Sequence, residues 1–251
     1  MRNVNMQSIR SVDRSIDVLQ SFSIEEPTLT VEEISEKTNI PHSTVYRILY
    51  TLERRGYVRF SEKTSTYRLG VRLMEFSYHL SSVTDVTQEA EEYLIELHSK
   101  TNQTVLMALE DGDRIIYVYK KENYEGLKFS SVVGQRRPYL YGVLGPVLLA
   151  YLPDKRSEQI IRHSDVHNSS ISISNIYERL KKIKKEGMYI ESNETNLGVT
   201  GVGVPIFGAN KQVVAAIGVI GPLFQMENQM ESVKKLILET STNISKKMGL
   251  R

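Results

Sequence analysis

Two small groups of side chains have the residue types and the spacing needed for metal binding or covalent chemistry. His163 and His167 are four residues apart with Asp165 between them, and they could share a metal ion if the segment were helical. The local sequence Asp-Val-His-Asn-Ser-Ser is more typical of an exposed loop. Ser232 and Lys235 have an SxxK spacing, but no second catalytic motif accompanies them. We therefore expect no catalytic residue and no metal site in either group.

A third group, the glycines at 198, 201 and 203, superficially resembles a phosphate-binding loop. Ile206 stands where the last glycine of a GxGxxG motif would be, and no GxxxxGK sequence occurs. The chain also contains no cysteine, which excludes thiolate nucleophiles, disulfides and cysteine-ligated metals. An enzyme remains conceivable, because side chains can converge in space without a sequence motif, but it is the weaker hypothesis.

Positive charge is concentrated in one stretch of a nearly neutral chain. The whole sequence has 32 Lys and Arg against 30 Asp and Glu. Residues 2–41 contain four basic and seven acidic residues, whereas residues 42–72 contain seven basic and two acidic ones. Such a patch is typical of phosphate binding, although a solvated helix face would have the same composition.

A helix-turn-helix is predicted in the same part of the chain. A first helix covers residues 11–23, and its apolar residues are spaced to line one face: Val12, Ile16, Leu19 and Phe22. Thr30 and Glu33 form a capping-box pattern that opens a second helix ending at Lys37. After a turn, a third helix begins near Ser43. Two short helices joined by a tight turn are the ingredients of this motif.

The third helix has one apolar face and one polar face. At about 100° per residue, the core side consists of Val45, Ile48, Leu49 and Leu52. The opposite side carries Ser43, Arg47, Tyr50 and Arg54. Hydroxyl, tyrosine and arginine side chains can contact phosphates and base edges. After this helix, residues 57–60 and 66–69 alternate with period two and predict a β-hairpin whose basic tip is Lys63.

These elements resemble the winged helix-turn-helix of the IclR family of bacterial transcription regulators. The resemblance rests on SVDRSIDVLQSF, VEEISEKTNIPHSTVYRILYTLERRGYV and TYRLG. It implies that DNA is contacted by Arg14, His42, Ser43, Thr44, Tyr46 and Arg47. Arg47 also follows from the helical arithmetic, whereas Arg14 could instead pair with Asp17. Lys63 is expected to contact the DNA backbone from the wing.

The second half of the chain alternates between strand and helix patterns. Asp111-Gly112 predicts a hairpin between strands 104–109 and 115–119. The remaining predicted strands are 127–133, 202–207 and 213–220, and the predicted helices are 71–82, 85–101, 142–152, 176–186 and 226–247. We expect an α/β domain with a largely antiparallel sheet.

This half resembles the effector-binding domain of the IclR family, which has a GAF-like fold. The resemblance rests on VGQRRPYLYGVLGPVLLAYLP, GMYIESNETNLGVTGVGVPIFG, QVVAAIGVIGP and NISKKMGL. It implies a small-molecule pocket formed by Phe129, Val143, Leu144, Glu191, Val199, Gly201, Gly218 and Ile220. Pro146 stands where the family usually has lysine, and Gly201, Gly218 and Ile220 replace polar or thiol groups. We expect the glycines to add room, so that the ligand is larger or less polar than a two- or three-carbon acid, unless ligand binding has been lost.

The sequence therefore predicts an α+β protein in which an N-terminal winged helix-turn-helix is joined by a helical linker to a GAF-like α/β effector-binding domain. We place the DNA-binding domain at 1–80, the linker at 81–92 and the effector-binding domain at 93–251. The expected partners are a double-stranded DNA operator, a small effector such as an organic acid or a less polar metabolite, and a second copy in a homodimer or homotetramer. No cofactor, metal or membrane is expected, and the localisation is expected to be cytoplasmic.

The expected function is transcription regulation, by activation or repression, in response to the effector. A GAF-like sensor whose output is a protein interaction remains an alternative. An acidic patch in place of Arg47, Arg54 and Arg59 would favour that alternative, and the sequence has the opposite charge. A small-molecule enzyme is the remaining possibility.

Overall fold

The structure is a computed structural model that describes residues 7–76, 85–122, 129–164, 173–195 and 197–250. The chain divides into two compact units, Met1–Val83 and Thr84–Arg251. Residues 81–84 of the interval predicted as a linker lie outside the described ranges. Val86 and Ala90, in the rest of that interval, are buried in the core of the second unit. The helix to which they belong therefore packs as part of that unit.

Residues 7–70 of the first unit form three helices and a three-stranded antiparallel sheet. Its elements are α1 (Arg10–Gln20), β1 (Thr28–Leu29), α2 (Val31–Thr38), α3 (His42–Arg54), β2 (Val58–Ser61) and β3 (Thr66–Leu69). The sheet order is β1-β3-β2. The capping box is confirmed, because the backbone N–H of Glu33 donates to the Thr30 hydroxyl and the Glu33 carboxylate accepts from the Thr30 N–H. Asn39 then turns the chain in the left-handed conformation.

The buried face of α1 differs from the predicted one. Val12 and Ile16 are 51% and 46% exposed, and Val18 is the buried residue of the helix. Apolar residues occur on two sides of α1, and the core of this unit covers the side that carries Val18. Phe22, just after the helix, is buried in the same core. Strand β1 was not predicted, because two residues are too few to produce a periodic pattern.

The second unit consists of a six-stranded antiparallel sheet with helices packed on both faces. Its elements are α4 (Asp85–Thr101), β4 (Thr104–Asp111), β5 (Arg114–Lys121), β6 (Arg136–Pro138), α5 (Leu144–Tyr151), α6 (Asp154–His163), α7 (Ile173–Glu186), β7 (Tyr189–Ser192), β8 (Val199–Phe207), β9 (Val213–Pro222), α8 (Leu223–Met226) and α9 (Met230–Lys247). The strand order is β6-β5-β4-β9-β8-β7. Alternate residues of the sheet pack against α5, α6 and α7 on one face and against α4 and α9 on the other.

Most of the predicted elements of this unit are present, with one wrong strand. Residues 129–133 are not a strand, and residues 127–128 lie outside the described ranges. The edge strand of the sheet is instead β6, which lies a few residues further along the chain and pairs with β5. The predicted hairpin is confirmed, with Gly112 at φ +65° in the turn. The prediction missed α6 and β7.

Membrane-spanning helices and clusters of metal-ligating side chains are both absent from the described residues. Within them, no helix is long and apolar enough to cross a bilayer. They also contain no cluster of three or more histidine or carboxylate side chains able to hold a metal ion. His163 lies in the last turn of α6, with Nδ1 2.7 Å from the Gln159 carbonyl oxygen. Asp165 and His167 lie outside the described residues, so the metal hypothesis is not tested for them.

Candidate nucleic-acid interface and ligand pocket

The exposed face of α3 is the candidate nucleic-acid interface. Val45 and Leu49 are fully buried and fix the orientation of the helix. The predicted contact residues His42, Ser43, Tyr46 and Arg47 are exposed, and Thr44 is half-buried. Tyr46 is 57% exposed. Binding residues are often exposed side chains that a rigid, well-packed scaffold holds in position, and Tyr46 fits that description.

Two of the predicted contact residues are arginines without a carboxylate partner among the described residues. In the part of the chain that the structure describes, neither Arg14 nor Arg47 lies within 4.0 Å of a carboxylate oxygen. The alternative in which Arg14 pairs with Asp17 is therefore not observed. Arg54 lies over the ring of Tyr50, with its guanidinium carbon 5.9 Å from the ring centroid. Lys63 is exposed in the loop between β2 and β3, where it can reach a polyanion.

The second unit contains a small cavity of about 50 Å³ on the α5 side of the sheet. Six of the eight predicted pocket residues line it: Phe129, Val143, Leu144, Glu191, Val199 and Ile220. The prediction missed six others: Tyr117, Ser130, Ser131, Tyr141, Gly142 and Thr195. Tyr117 was accessible to sequence reasoning, because it is an inward position of an alternating strand. Thr195 had no such signal, because it lies in the loop between β7 and β8.

Gly201 and Gly218 are not among the described residues that line this cavity, and there is little space in front of either glycine. A Cβ at Gly201 would lie 3.1 Å from Val143 Cγ1, and a Cβ at Gly218 would lie 2.9 Å from Leu144 Cδ2. The space in front of both glycines is thus occupied by side chains at the start of α5. Small residues here let α5 approach the sheet closely, and they do not leave room for a larger ligand.

Polar groups around the cavity are held by a short hydrogen-bond chain. The Glu191 carboxylate, on a side chain that is 8% exposed, accepts a hydrogen bond from the Thr195 N–H. The Thr195 hydroxyl accepts from the Gly142 N–H at 3.2 Å. These two hydrogen bonds connect the loop after β7 to the residues that precede α5.

Two tyrosine side chains, Tyr117 and Tyr141, complete the polar part of the wall. Burial raises the pKa of Tyr117, while its hydrogen bond with Ser131 opposes that shift, so its hydroxyl is neutral near pH 7. The Arg137 guanidinium carbon lies 4.7 Å from the centroid of the Tyr141 ring. The cavity thus offers aromatic rings, hydroxyl groups and one carboxylate, which suits a small, partly polar organic molecule.

Two family models match the chain, one for each unit. Residues 11–62 match the model described as the IclR helix-turn-helix domain. Residues 78–246, about two thirds of the chain, match the model described as bacterial transcriptional regulator IclR C-terminal.

Curated relatives and solved structures match over nearly the whole length. The HTH-type transcriptional regulator KdgR of Escherichia coli (strain K12) is 26% identical, covering 96% of this chain and 94% of the relative. KipR of Bacillus subtilis (strain 168), also an HTH-type transcriptional regulator, is 25% identical, covering 99% of each. The crystal structure of the Thermotoga maritima IclR covers 96% of this chain and 100% of that one, with 24% identity and a TM-score of 0.75.

A further solved structure contains a bound small molecule. It is an IclR homologue from Microbacterium hydrocarbonoxydans complexed with 4-hydroxybenzoate, and it covers 95% of this chain and 98% of that one. The identity is 19% and the TM-score is 0.83. At this identity the comparison supports the fold.

Proposed function

The chain belongs to the IclR family of bacterial transcriptional regulators, and from that premise we propose that α3 and the wing read an operator while the cavity binds the effector. The predicted α+β fold class and the assignment as a DNA-binding regulator rather than an enzyme agree with the family and with its curated regulators. What remains specific to this chain is which residues contact DNA and which contact the effector.

The observation that carries the DNA-binding proposal is the exposed, unneutralised polar face of α3. Arg47 lies on the side opposite the buried Val45, so its guanidinium can enter a groove without disturbing the core. A planar guanidinium can donate two hydrogen bonds to guanine, which is the commonest specific contact. We assign the contacts to Arg14, His42, Ser43, Thr44, Tyr46, Arg47 and Lys63.

The effector site is proposed at the cavity beside α5. Its contact residues are Phe129, Val143, Leu144, Glu191, Val199 and Ile220, joined by Tyr117 and Thr195. Gly201 and Gly218 contribute indirectly, because their lack of a side chain lets Val143 and Leu144 take their positions. We propose a small organic acid or a less polar metabolite as the ligand. Because the cavity of about 50 Å³ is below the ~300–1,000 Å³ of typical drug-sized sites, the pocket opens as the ligand enters.

Regulation is proposed to act through an oligomer in the cytoplasm, where bacterial DNA is found. A homodimer or homotetramer would place two winged domains on the half-sites of a pseudo-palindromic operator. Linking two weakly binding winged domains in one oligomer raises their combined affinity for the operator. The effector must bind two arrangements of the reader domains with different affinities in order to change operator binding.

The test of the reading face uses two substitutions of one residue. Arg47→Ala is expected to weaken specific binding by about 1–3 kcal/mol and to relax preference at one base pair. Arg47→Lys keeps the positive charge and loses the bidentate fork, so it should relax preference with a smaller loss of affinity. Competition binding with operators substituted at each base pair measures both effects. Unchanged base preference in a folded Arg47→Ala protein would remove Arg47 from the site.

A further inference from the structure

The outer face of the three-stranded sheet in the first unit carries an unusual pair of arginines. Arg59 on β2 is directly opposite Arg68 on β3, and Thr28 on β1 is directly opposite Arg68 on the other side. Directly opposite residues have Cβ atoms about 4.5–5.5 Å apart, and like charges in that arrangement destabilise a sheet. The inner face, with Val58 and Tyr67, is buried in the core. The two charges are therefore held together on a rigid, outward-facing surface.

Within the described residues, no carboxylate neutralises either charge of this pair. Arg59 and Arg68 are exposed, and across the ranges that the structure describes no carboxylate oxygen lies within 4.0 Å of either guanidinium. Other arginines of the chain are paired: Arg136 lies 2.7 Å from Asp111, and Arg179 lies 2.9 Å from Glu194. Two adjacent arginines with no carboxylate partner among the described residues are available to bind an anion from outside the chain.

Hydroxyl groups surround the two guanidinium groups. The surface is a shallow depression of about 490 Å³, in which the remaining polar side chains are Thr28, Ser61, Thr64 and Thr66. The Thr64 hydroxyl donates to Ser61 Oγ at 2.9 Å and lies 2.7 Å from Thr66 Oγ1. Among the described residues, no acidic side chain lines the depression. Guanidinium and hydroxyl groups together are donors for an anion with several oxygens.

We propose that Arg59 and Arg68 bind phosphates of the DNA backbone and form a second contact beside the tip of the wing. The inference rests on the proposed function, since it takes the ligand to be the operator. Both residues belong to the hairpin that carries Lys63, four residues from Arg59 and five from Arg68. DNA phosphates supply a row of anions that a paired guanidinium surface can bind bidentately. The repulsion within the pair is then relieved on binding.

The test compares a double substitution with two controls in the full-length chain. Binding of the operator and of a scrambled duplex is measured by fluorescence anisotropy over a series of KCl concentrations. For Arg59→Gln with Arg68→Gln, we expect equal loss of affinity for both duplexes and a log–log salt slope shallower by about 0.9 per lost phosphate, or ~1.8 per protomer. Arg59→Lys with Arg68→Lys should keep most of the slope, because the charges remain.

Arg72→Gln is the matched control for charge. It removes one arginine from the same unit, but Arg72 lies 3.5 Å from Glu75 and donates to the Arg55 carbonyl oxygen at 3.0 Å, so the slope should not change. Thermal melts accompany each variant. Removing two like charges from opposite positions should leave the melting temperature of the double variant unchanged or raise it. If the double variant is unstable, Arg59→Gln and Arg68→Gln alone are each expected to change the slope by about half as much.

Each outcome decides a different claim. A wild-type slope and affinity for the glutamine variants would overturn the phosphate contact while leaving the regulator intact. Loss on the operator alone would also overturn it, because that result means base reading. Binding of inorganic phosphate to the two arginines with no effect on DNA affinity at constant ionic strength would indicate a site for the free anion instead. Failure of the wild-type chain to bind either duplex would refute the operator-binding function itself.

Discussion

Adding one methyl group at Gly218 should separate the stability of the second unit from its ability to bind an effector. A Cβ there would lie 2.9 Å from Leu144 Cδ2 and 3.1 Å from Val143 Cγ2. The nearest of these atoms is the far end of a side chain that borders the cavity. In Gly218→Ala, the Leu144 side chain can therefore rotate into the cavity. The loss of unfolding free energy from overpacking should then fall near the lower end of the usual ~1–3 kcal/mol.

The displaced Leu144 side chain would then occupy part of a cavity of only about 50 Å³. A ligand must push it back or bind elsewhere, so we expect effector affinity to fall at least about tenfold, which corresponds to ~1.4 kcal/mol. Melting of the second unit should shift by about 2–4 °C for each kcal/mol in a domain of roughly 150–250 residues. DNA binding without effector should stay at the wild-type level.

Gly203→Ala is the matched control, because its added methyl meets backbone. The Cβ would lie 2.7 Å from the Val143 carbonyl oxygen and 3.1 Å from its carbonyl carbon. Relieving this contact requires the backbone at Val143, just before α5, to move away from the sheet. We expect a loss of about 3 kcal/mol or more, clearly larger than for Gly218→Ala.

Thermal unfolding of both variants, followed by calorimetric titration with an effector found by screening, measures the two effects. The screen can begin with small organic acids, the ligand class proposed above. Full effector affinity in a stable Gly218→Ala protein would place the ligand outside this cavity. Equal destabilisation by the two variants would contradict the packing described for the start of α5.

Two further substitutions test the first unit. Thr30→Ala removes the hydroxyl that caps α2 and should cost about 0.5–2 kcal/mol in unfolding experiments, whereas Thr30→Ser should recover most of that stability; a neutral Thr30→Ala would show that the cap contributes nothing. Lys63→Gln should make the salt slope of DNA binding shallower by about 0.9 without changing base preference. A wild-type slope in that variant would remove Lys63 from the contact with the backbone.

Features set by neighbouring residues were predictable from the sequence. The capping box of Thr30 and Glu33 needs only two residues three apart, and the Asp-Gly turn of β4 and β5 needs only local backbone geometry. The two faces of α3 follow from the helical period, because its apolar residues occupy one side. Elements with such signals lie close to where they were expected.

Features set by tertiary contacts could not be predicted in the same way. Helix α1 has apolar residues on two sides, and only the packing of the other helices determines that Val18 is buried while Val12 is exposed. The glycines at 201 and 218 suggested open space, yet their neighbours fill it. Thr195 comes to the cavity through a loop whose path depends on its hydrogen bond to Glu191.

Binding to genomic DNA fragments is the most direct test of whether the protein recognises a specific operator. The full-length protein is incubated with fragments, including the region upstream of its own gene, at two salt concentrations and with excess non-specific competitor. We expect competitor-resistant retention of a discrete fragment, weakened at the higher salt because phosphate contacts are salt-dependent. Weak binding that is lost with competitor on every fragment, with and without screened effectors, would contradict this expectation.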